Sequence, residues 1–519
     1  MHMVVKDFIK KEQYYDSVFL MRIAAKLGEM PGIIQISAGM GTPLNKDTMK
    51  ELGVLDEAGA AAGVNDMVVG IAAENDETAE KAYQKFLELM EQKQQKNASS
   101  CKTITEAKRA DARLNLATIS VAGEYAAQEG MNALKQGMHV FMFSDNVPLE
   151  QEVELKQYAE AHDLLMMGPD CGLTFIDGAA IGLCSKTRRG SIGIVGASGS
   201  GIQEVMCIVH RRGYGISQAI GTGGRDLNDA VGGITMLRGI RLLEQDPDTA
   251  VIVLISKPPA EKTMEKVLKA VENCKKPVVV QFIHGDAELI RSHGAYASQT
   301  FLETAEAAIA YAEGKKPAAY TIAQADETLA KAECAKLAKS QKYLRGLYCG
   351  GSLADETLTM LTETLSPLYS NAGFDGILPM KDSQISEGHC LVDIGAEEFT
   401  KGHPHAAIDP SIRVKRLIQE ARDPETAIIL MDVLLGYALN EDPAAAMVPA
   451  ILEERKRAET EGRSLCIIAD LCGTDLDPQD YEAQKKRFEK AGVIVMQSNE
   501  EASALAARIL AMKEERDVQ

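Results

Sequence analysis

The residues best suited to chemistry in this chain are small ones. Gly190-Ser191-Ile192-Gly193-Ile194-Val195-Gly196-Ala197-Ser198-Gly199-Ser200-Gly201 reads as an apolar strand entering a Gly/Ser loop, with a helix starting near Ile202-Gln203-Glu204. Small side chains let backbone N–H groups approach an anion, and the positive end of the helix dipole attracts phosphate or carboxylate. Ser198, Gly199 and Ser200 are therefore expected to donate N–H or hydroxyl hydrogen bonds to phosphate. The loop has no Walker lysine and no spaced dinucleotide fingerprint, so tight strand–helix packing is the alternative. In Ile220-Gly221-Thr222-Gly223-Gly224-Arg225-Asp226-Leu227, the glycines Gly221, Gly223 and Gly224 are expected to shape an adjoining loop. Arg225 has two readings there, as a bidentate donor to a substrate carboxylate or as the ion-pair partner of Asp226 or Asp229.

The elements that must position these groups alternate. Residues 1–91 read as a small α/β module, open-faced, in which a helix at Ser17–Leu27 leads to a strand at Gly32–Ser37. A second strand at Asp66–Ala72 is followed by a helix from Glu77 to Glu91. The polar stretch from Gln92 to Arg113, with Asn97-Ala98-Ser99-Ser100, reads as a linker. From Leu114 strands alternate with helices, which implies a parallel sheet with ligands at the carboxyl ends of its strands. Candidate rim segments are Ala122-Gly123-Glu124, Ser144-Asp145-Asn146 and Gly168-Pro169-Asp170-Cys171-Gly172, or simple turns. A later region repeats the first Gly/Ser loop. Gly346-Leu347-Tyr348 enters Cys349-Gly350-Gly351-Ser352-Leu353-Ala354-Asp355-Glu356, and Asp246-Pro247-Asp248-Thr249-Ala250 is echoed by Asp423-Pro424-Glu425-Thr426-Ala427. Two modules of one fold are implied, joined by an Ala- and Lys-rich linker from Glu313 to about Lys342 with a helical portion.

Composition narrows the function classes. A chain of 519 residues with 45% hydrophobic and 25% charged residues is globular and holds several domains. The 56 basic and 75 acidic residues give a net charge of −19, which disfavours nucleic acid and anionic membranes but not a small anionic substrate. Ten cysteines without a C-x-x-C pair point to neither a zinc site nor a disulfide framework, and fit a cytoplasmic protein. No export signal or membrane span is legible. Gly402-His403-Pro404-His405 pairs two histidines without a nearby third ligand, so no metal is expected there.

Over nearly its whole length the chain resembles the FdrA family, itself similar to the succinyl-CoA synthetase superfamily. The resemblance lies in Tyr15-Asp16-Ser17-Val18, Phe143-Ser144-Asp145-Asn146-Val147, Leu165-Met166-Met167-Gly168-Pro169-Asp170-Cys171-Gly172, Gly193 to Gly199, Ile220 to Leu227 and Leu254-Ile255-Ser256-Lys257-Pro258-Pro259-Ala260. It implies an α/β fold with a small N-terminal module (1–91) and a partial Rossmann-like CoA-binding-type domain (114–185). Two flavodoxin-like ligase domains follow, of α-subunit type (190–312) and β-carboxyl type (342–510). In such synthetases two helix N-termini, one from each ligase domain, hold a phosphate. The resemblance places the second start at Asp432-Val433-Leu434-Leu435-Gly436-Tyr437, where Asp432 would bring a negative charge near the phosphate. The Gly350-Gly351-Ser352 turn is a further contributor from that module. The nearest counterpart of the phosphorylated histidine is His293, in Arg291-Ser292-His293-Gly294-Ala295.

The departures define the expected activity. No stretch of the chain supplies an ATP-grasp domain, and the Gly-rich loop that opens the CoA-binding domain has no counterpart before Leu114. CoA is thus a possible ligand only, at Gly123, Glu124 and Tyr125, and no other cofactor is implied. The FdrA resemblance implies a subunit of an oxamate carbamoyltransferase, converting oxalurate and phosphate to oxamate and carbamoyl phosphate in allantoin breakdown. Its partners would be phosphate, a small anionic substrate and different protein subunits in an oligomer. The alternatives are a CoA-binding subunit of an acyl-CoA synthetase that borrows its nucleotide-binding domain, and a non-catalytic scaffold.

Overall fold

The computed structural model describes residues 3–13, 15, 17–28, 30–94, 101–362, 364–374, 376–401 and 403–518. Asp16, residues 95–100 of the expected linker and Gly402 lie outside the described residues. The chain divides into two compact units, residues 1–114 with 397–409, and residues 115–396 with 410–519.

The first unit is built on a three-stranded antiparallel sheet whose central strand, Met67–Ala73, lies between Val4–Lys10 and Ile33–Met40. Side chains alternate across a strand, so Met67, Val69, Ile71 and Ala73 face one way. They meet Leu20, Ile23, Ala24 and Leu27 of the Ser17–Gly28 helix and Ala79, Ala82, Phe86 and Met90 of the Asp76–Gln94 helix. Both sets fall at three- and four-residue spacing, the stripe a helix buries. The sheet is not open-faced: Val68 and Ala72 bury their side against Met49, Val54 and Ala62. The stretch expected to be a linker contains a helix, Ile104–Ala110, because Thr103 caps it by accepting the Glu106 N–H at 3.1 Å.

The second unit carries three sheets. One is three-stranded and parallel, from Leu116–Ile119, His139–Met142 and Met166–Met167. The next has the strand order Tyr296–Ala297, Val278–Phe282, Val251–Ser256, Arg189–Gly196, Ile216–Gly221, Leu173–Ile176, Ala179–Gly182. The third runs Leu378–Pro379, Leu368–Ser370, His389–Asp393, Tyr343–Tyr348, Thr426–Leu434, Cys466–Cys472, Ile494–Met496. Five parallel strands in each follow the doubly wound order 2-1-3-4-5, the arrangement that places ligands at the carboxyl ends beside the first strand. Their central strands are apolar and buried on both faces, as parallel strands under helices must be. The two Asp-Pro repeats stand before equivalent strands, Val251–Ser256 and Thr426–Leu434. The hairpin Leu173–Gly182 joins the second sheet through an antiparallel pairing of Phe175 with Ala219. Between the two sheets the segment at 315–340 holds one helix, Glu327–Lys336.

Candidate functional site: two facing helix starts

The first strand of each doubly wound sheet ends in small residues and turns into a helix. These helices are Gly199–Arg211 and Gly351–Leu361. Their starts touch. Ser198 Oγ donates to Ser352 Oγ at 2.6 Å, and the Ser352 N–H donates to Ser200 Oγ at 3.2 Å. A Cβ on Gly350 would stand 2.8 Å from Ser200 Cβ, so this close approach requires glycine. The sequence-predicted Ser198, Gly199, Ser200, Gly350, Gly351 and Ser352 are thus assembled in one place. Neither helix is capped by its own N-cap side chain, whereas Thr300, Asp442 and Asp480 cap the helices that follow them. The unsatisfied first-turn N–H groups of both helices are therefore left to an external anion or to neighbours. A Cβ on Gly199 would meet nothing within 4 Å, so the space beside that start is open.

The second start differs from the first. The buried Asp432 carboxylate accepts the N–H groups of Cys349 at 3.0 Å and Gly350 at 2.7 Å, and pairs with buried Arg413 at 2.8 Å. Asp393 lies alongside, its Oδ2 3.1 Å from where a Gly351 Cβ would be. Burial, reinforced by the charges of Asp432 and Asp355, pushes the Asp393 carboxyl up to about 6, although the Gly395 N–H opposes the shift. The expected helix start at Asp432–Tyr437 is corrected. Thr426–Leu434 is one strand, and the next helix begins only at Pro443. Gly436 instead permits backbone approach to Cys184, whose carbonyl oxygen would be 2.7 Å from an added Cβ. Asp432 nonetheless lies at the turn that opens the Gly351 helix.

Below the starts the helices exchange glutamates. Glu204 Oε1 accepts the Asn499 N–H that opens the Asn499–Val518 helix. Glu356 Oε1 accepts the Phe301 N–H that opens Phe301–Ala312. Each glutamate stands five residues after the first helical glycine, so the repeat in sequence becomes a reciprocal contact between the two sheets' helices. Burial pushes Glu356 up to about 8 and also raises Glu204.

The other predicted residues do different work. Gly221 and Gly223 pack backbone on backbone: added Cβ atoms would stand 2.3 Å from Leu173 O and 2.1 Å from Pro169 O. A Cβ on Gly224 would lie 3.2 Å from Asp170 Oδ2. Arg225 bonds Glu152 Oε2 through Nε at 2.9 Å and Val147 O at 2.6 Å. Its partner is therefore neither Asp226 nor Asp229. Asp226 belongs to buried Lys156, at 2.7 Å, and Asp229 accepts from Thr263. Gly123 sits under the next loop, 2.3 Å from Asp145 O at an added Cβ, while Glu124 and Tyr125 are exposed.

His293 is not brought to the helix starts. It precedes Tyr296–Ala297, which runs parallel to Val278–Phe282, so it lies at the opposite edge of the sheet from Ser198, with Nδ1 2.9 Å from Leu289 O. The histidine at the carboxyl edge is His284, two residues beyond the Val278–Phe282 strand. The signal for it was there: His284-Gly285-Asp286 follows an apolar strand. Its ring lies 4.1 Å from the Phe374 ring, and Nε2 is 3.2 Å from Thr359 Oγ1. Together with Lys257, Pro258, Ile283, Asp355 and Gly373, these two rings line a cleft of about 340 Å³.

Comparison with known proteins matches residues 347–509 to a family described as CoA-ligase, 187–284 to a CoA binding domain, and 3–107 to the AllF, heavy metal-associated domain. The CoA binding match thus covers the Gly199 helix. The donors for a heavy metal do not fit that last description. Residues 3–107 contain one cysteine, Cys101, and no histidine, and among the described residues no three His, Cys, Asp or Glu are grouped to hold a metal ion. No helix among them is long and apolar enough to cross a membrane.

The α subunit of succinate–CoA ligase [ADP-forming] from Staphylococcus epidermidis is 26% identical over 181 residues, 34% of this chain and 58% of that subunit. The chain thus matches just over half of that relative's length. The apo dinucleotide-forming acetyl-coenzyme A synthetase 1 of Ca. Korarchaeum cryptofilum aligns over 80% of this chain and 87% of its own, at 14% identity and a TM-score of 0.34. The uncharacterized protein YahF of Escherichia coli K12 is 41% identical over 515 residues, 99% of this chain and all of that one. The chain belongs to the family of YahF, FdrA-like proteins of the succinyl-CoA synthetase superfamily.

Proposed function

We propose that this chain is the phosphate- and acyl-handling subunit of an acid–thiol ligase-type enzyme whose nucleotide-binding domain resides on another chain. The observation that carries this reading is the meeting of two side-chain-uncapped helix starts, with Ser198 and Ser200 against Ser352. Inorganic phosphate would sit on the open Gly199 side, held by the Ser198 hydroxyl and the first-turn N–H groups. Its oxygen attacks the carbonyl carbon of a bound thioester, the C–S bond breaks, the thiol takes the phosphate proton, and an acyl phosphate remains. The fixed N–H dipoles would bind the phosphoryl charge without reorganising. The matches to CoA-ligase and CoA binding domains support CoA as the thiol.

A second reading rests on the match of residues 3–107 to the AllF domain. In it the acyl group is carbamoyl: phosphate attacks the ureido carbon of oxalurate, the C–N bond breaks, and oxamate leaves with the proton as carbamoyl phosphate forms. One assay set separates the two. The chain, alone and with proteins co-purified from its host, is tested for phosphate-dependent cleavage of acyl-CoA thioesters and for carbamoyl transfer between carbamoyl phosphate and oxamate. Thioester turnover supports the ligase reading and carbamoyl turnover the second. Unchanged phosphate affinity in Ser198→Ala would overturn the site assignment. No affinity for phosphate, CoA or carbamoyl phosphate would leave a scaffold.

A further inference from the structure

One carboxyl group of the N-terminal unit stands where the strand pattern calls for an apolar side chain. Side chains of Val4-Val5-Lys6-Asp7-Phe8-Ile9-Lys10 alternate in facing, so Asp7 shares its side of the sheet with Val5 and Ile9. That side packs against Met49, Val54 and Ala62, and the central strand Met67–Ala73 brings it no charge. A polar residue in an apolar row breaks the local rule that the rest of the sheet obeys, which marks a functional or strained position. Two glycines make room for it. A Cβ on Gly59 would overlap Asp7 Oδ2, and one on Gly70 would stand 2.9 Å from Oδ1. The carboxyl is thus held between the central strand and the Glu57–Ala61 helix, with Oδ1 buried and without a hydrogen-bond partner.

Its partner is a second carboxyl group. Asp7 Oδ2 accepts the Asp56 N–H at 2.8 Å, Asp56 Oδ2 accepts the Asp7 N–H at 3.0 Å, and Asp56 Oδ1 caps the short helix by accepting the Gly59 N–H at 2.9 Å. This exchange closes the segment Leu52–Ala62 over the face formed by Val5, Ile9, Val68 and Ala72. It also brings the two carboxyl groups within hydrogen-bonding reach of each other. Two ionised carboxylates at one turn repel, and a single proton between them turns the repulsion into a hydrogen bond. Burial raises the Asp7 carboxyl to about 7, helped by the Asp56 charge and opposed by the Asp56 N–H. Burial acts the same way on Asp56, but the Gly59 and Asp7 N–H groups outweigh it and hold that carboxyl below its ordinary range. The surrounding charges are engaged elsewhere. Lys6 and Lys10 point to the other side of the strand, where Lys6 pairs with Glu80 at 3.1 Å. Lys46 holds the carbonyls of Ala60 and Ala62, and Asp66 accepts the N–H groups of Glu12 and Gly63. Glu57 and, on the Pro43–Glu51 helix, Asp47, Lys50 and Glu51 are exposed.

We propose that Asp7 and Asp56 form a one-proton latch: with the proton in place the Leu52–Ala62 segment is closed on the sheet, and loss of the proton to solvent loosens it and uncovers the apolar side at Val68 and Ala72. The latch is independent of the phosphate-handling reading of the helix starts. A carboxyl raised in the closed state favours closure fully below its ordinary value of 3.8. That preference weakens by about tenfold per pH unit as pH rises and levels off above about 7. Asp56, held low, acts in the opposite sense and only in acid. The test is hydrogen–deuterium exchange of the full chain between pH 5 and pH 8, read by mass spectrometry as protection factors corrected for the base-catalysed intrinsic rate. Peptides covering 53–62 should lose at least tenfold in protection over this range, while those covering 67–73 hold theirs. In Asp7→Asn, which keeps the size and the acceptor for the Asp56 N–H, protection of 53–62 should stay flat. Flat protection in the unaltered chain overturns the latch, and so does a loss that persists in Asp7→Asn. Equal loss in 53–62 and 67–73 also overturns it, because the pair would then set the stability of the whole sheet rather than of one segment. Two of these readings need no variant, so the latch stays falsifiable even where Asp7→Asn does not fold.

Discussion

The two helix starts that meet at Ser198 and Ser352 arise from equivalent strands of equivalent sheets, yet they present opposite chemistry. The Gly199 start offers hydroxyls, N–H groups and open space. The Gly351 start has Asp432 on its loop N–H groups, Arg413 behind that carboxylate, and Asp393 alongside. A helix N-terminus attracts one anion well and two poorly, because the partial positive charge is only about half an elementary charge. An internal carboxylate therefore competes with a ligand for the second start. On the proposed reading, the Gly199 side would capture the anion and the Gly351 side would shape the neighbouring cleft through Ser352, Asp355 and Thr359.

The sharpest way to break this comparison is to remove the internal anion. In Asp432→Ala the buried Arg413 guanidinium loses its carboxylate, and the Cys349 and Gly350 N–H groups lose their acceptor. Removing one partner of a buried ion pair costs about 3–5 kcal/mol. Urea denaturation should show a loss of that size. A fall of less than about 1 kcal/mol would mean that water or another group replaces the carboxylate. Next comes Gly350→Ala, whose Cβ would stand 2.8 Å from Ser200 Cβ and 2.9 Å from Asp432 Oδ2. Overpacking of this kind costs about 1–3 kcal/mol. It pushes the two starts apart, so phosphate affinity should fall together with stability.

Much of this site was legible in the residues, and the illegible parts share a cause. The Gly199 and Gly351 starts show as apolar strands ending in Gly and Ser, a local pattern. Asp432 was expected at a helix start; it lies instead in the Thr426–Leu434 strand and reaches the loop N–H groups before the Gly351 helix from there. Arg225 finds Glu152, 73 residues away, rather than a neighbouring aspartate. His284 and His293 both stand beside a glycine in the same connection between two strands. Only the parallel pairing of the two-residue strand Tyr296–Ala297 decides which of them faces the helix starts. Local chemistry writes loops into sequence; partners at long range and sheet edges are set by packing.

The Ser198–Ser352 hydrogen bond sharpens the comparison at a smaller scale. Ser198→Ala removes one bond at 2.6 Å between the two starts. A stability loss of about 0.5–1.5 kcal/mol is expected, with a larger effect on phosphate affinity, at least tenfold. The double variant with Ser352→Ala should cost little more than either single one, since both delete the same bond. Additive losses would show that the hydroxyls act separately.

The smallest effect is one of pH, and it belongs to the Gly351 side alone. Asp393 titrates near 6 in the folded chain against about 3.8 in its ordinary state. A carboxyl whose folded value is raised stabilises the fold fully below the ordinary value, and that contribution is lost as pH rises through about 6. Ionised Asp393 also repels an anion near Gly351. Phosphate affinity should therefore decline severalfold between pH 5 and pH 7, beyond what the phosphate's own ionisation produces. In Asp393→Asn that decline should vanish while the Ser198 dependence remains. A slope that persists in Asp393→Asn would place the titrating group elsewhere. Flatness in both chains would mean that phosphate lies too far toward Gly199 to sense the second start at all, which is the asymmetry in its strongest form.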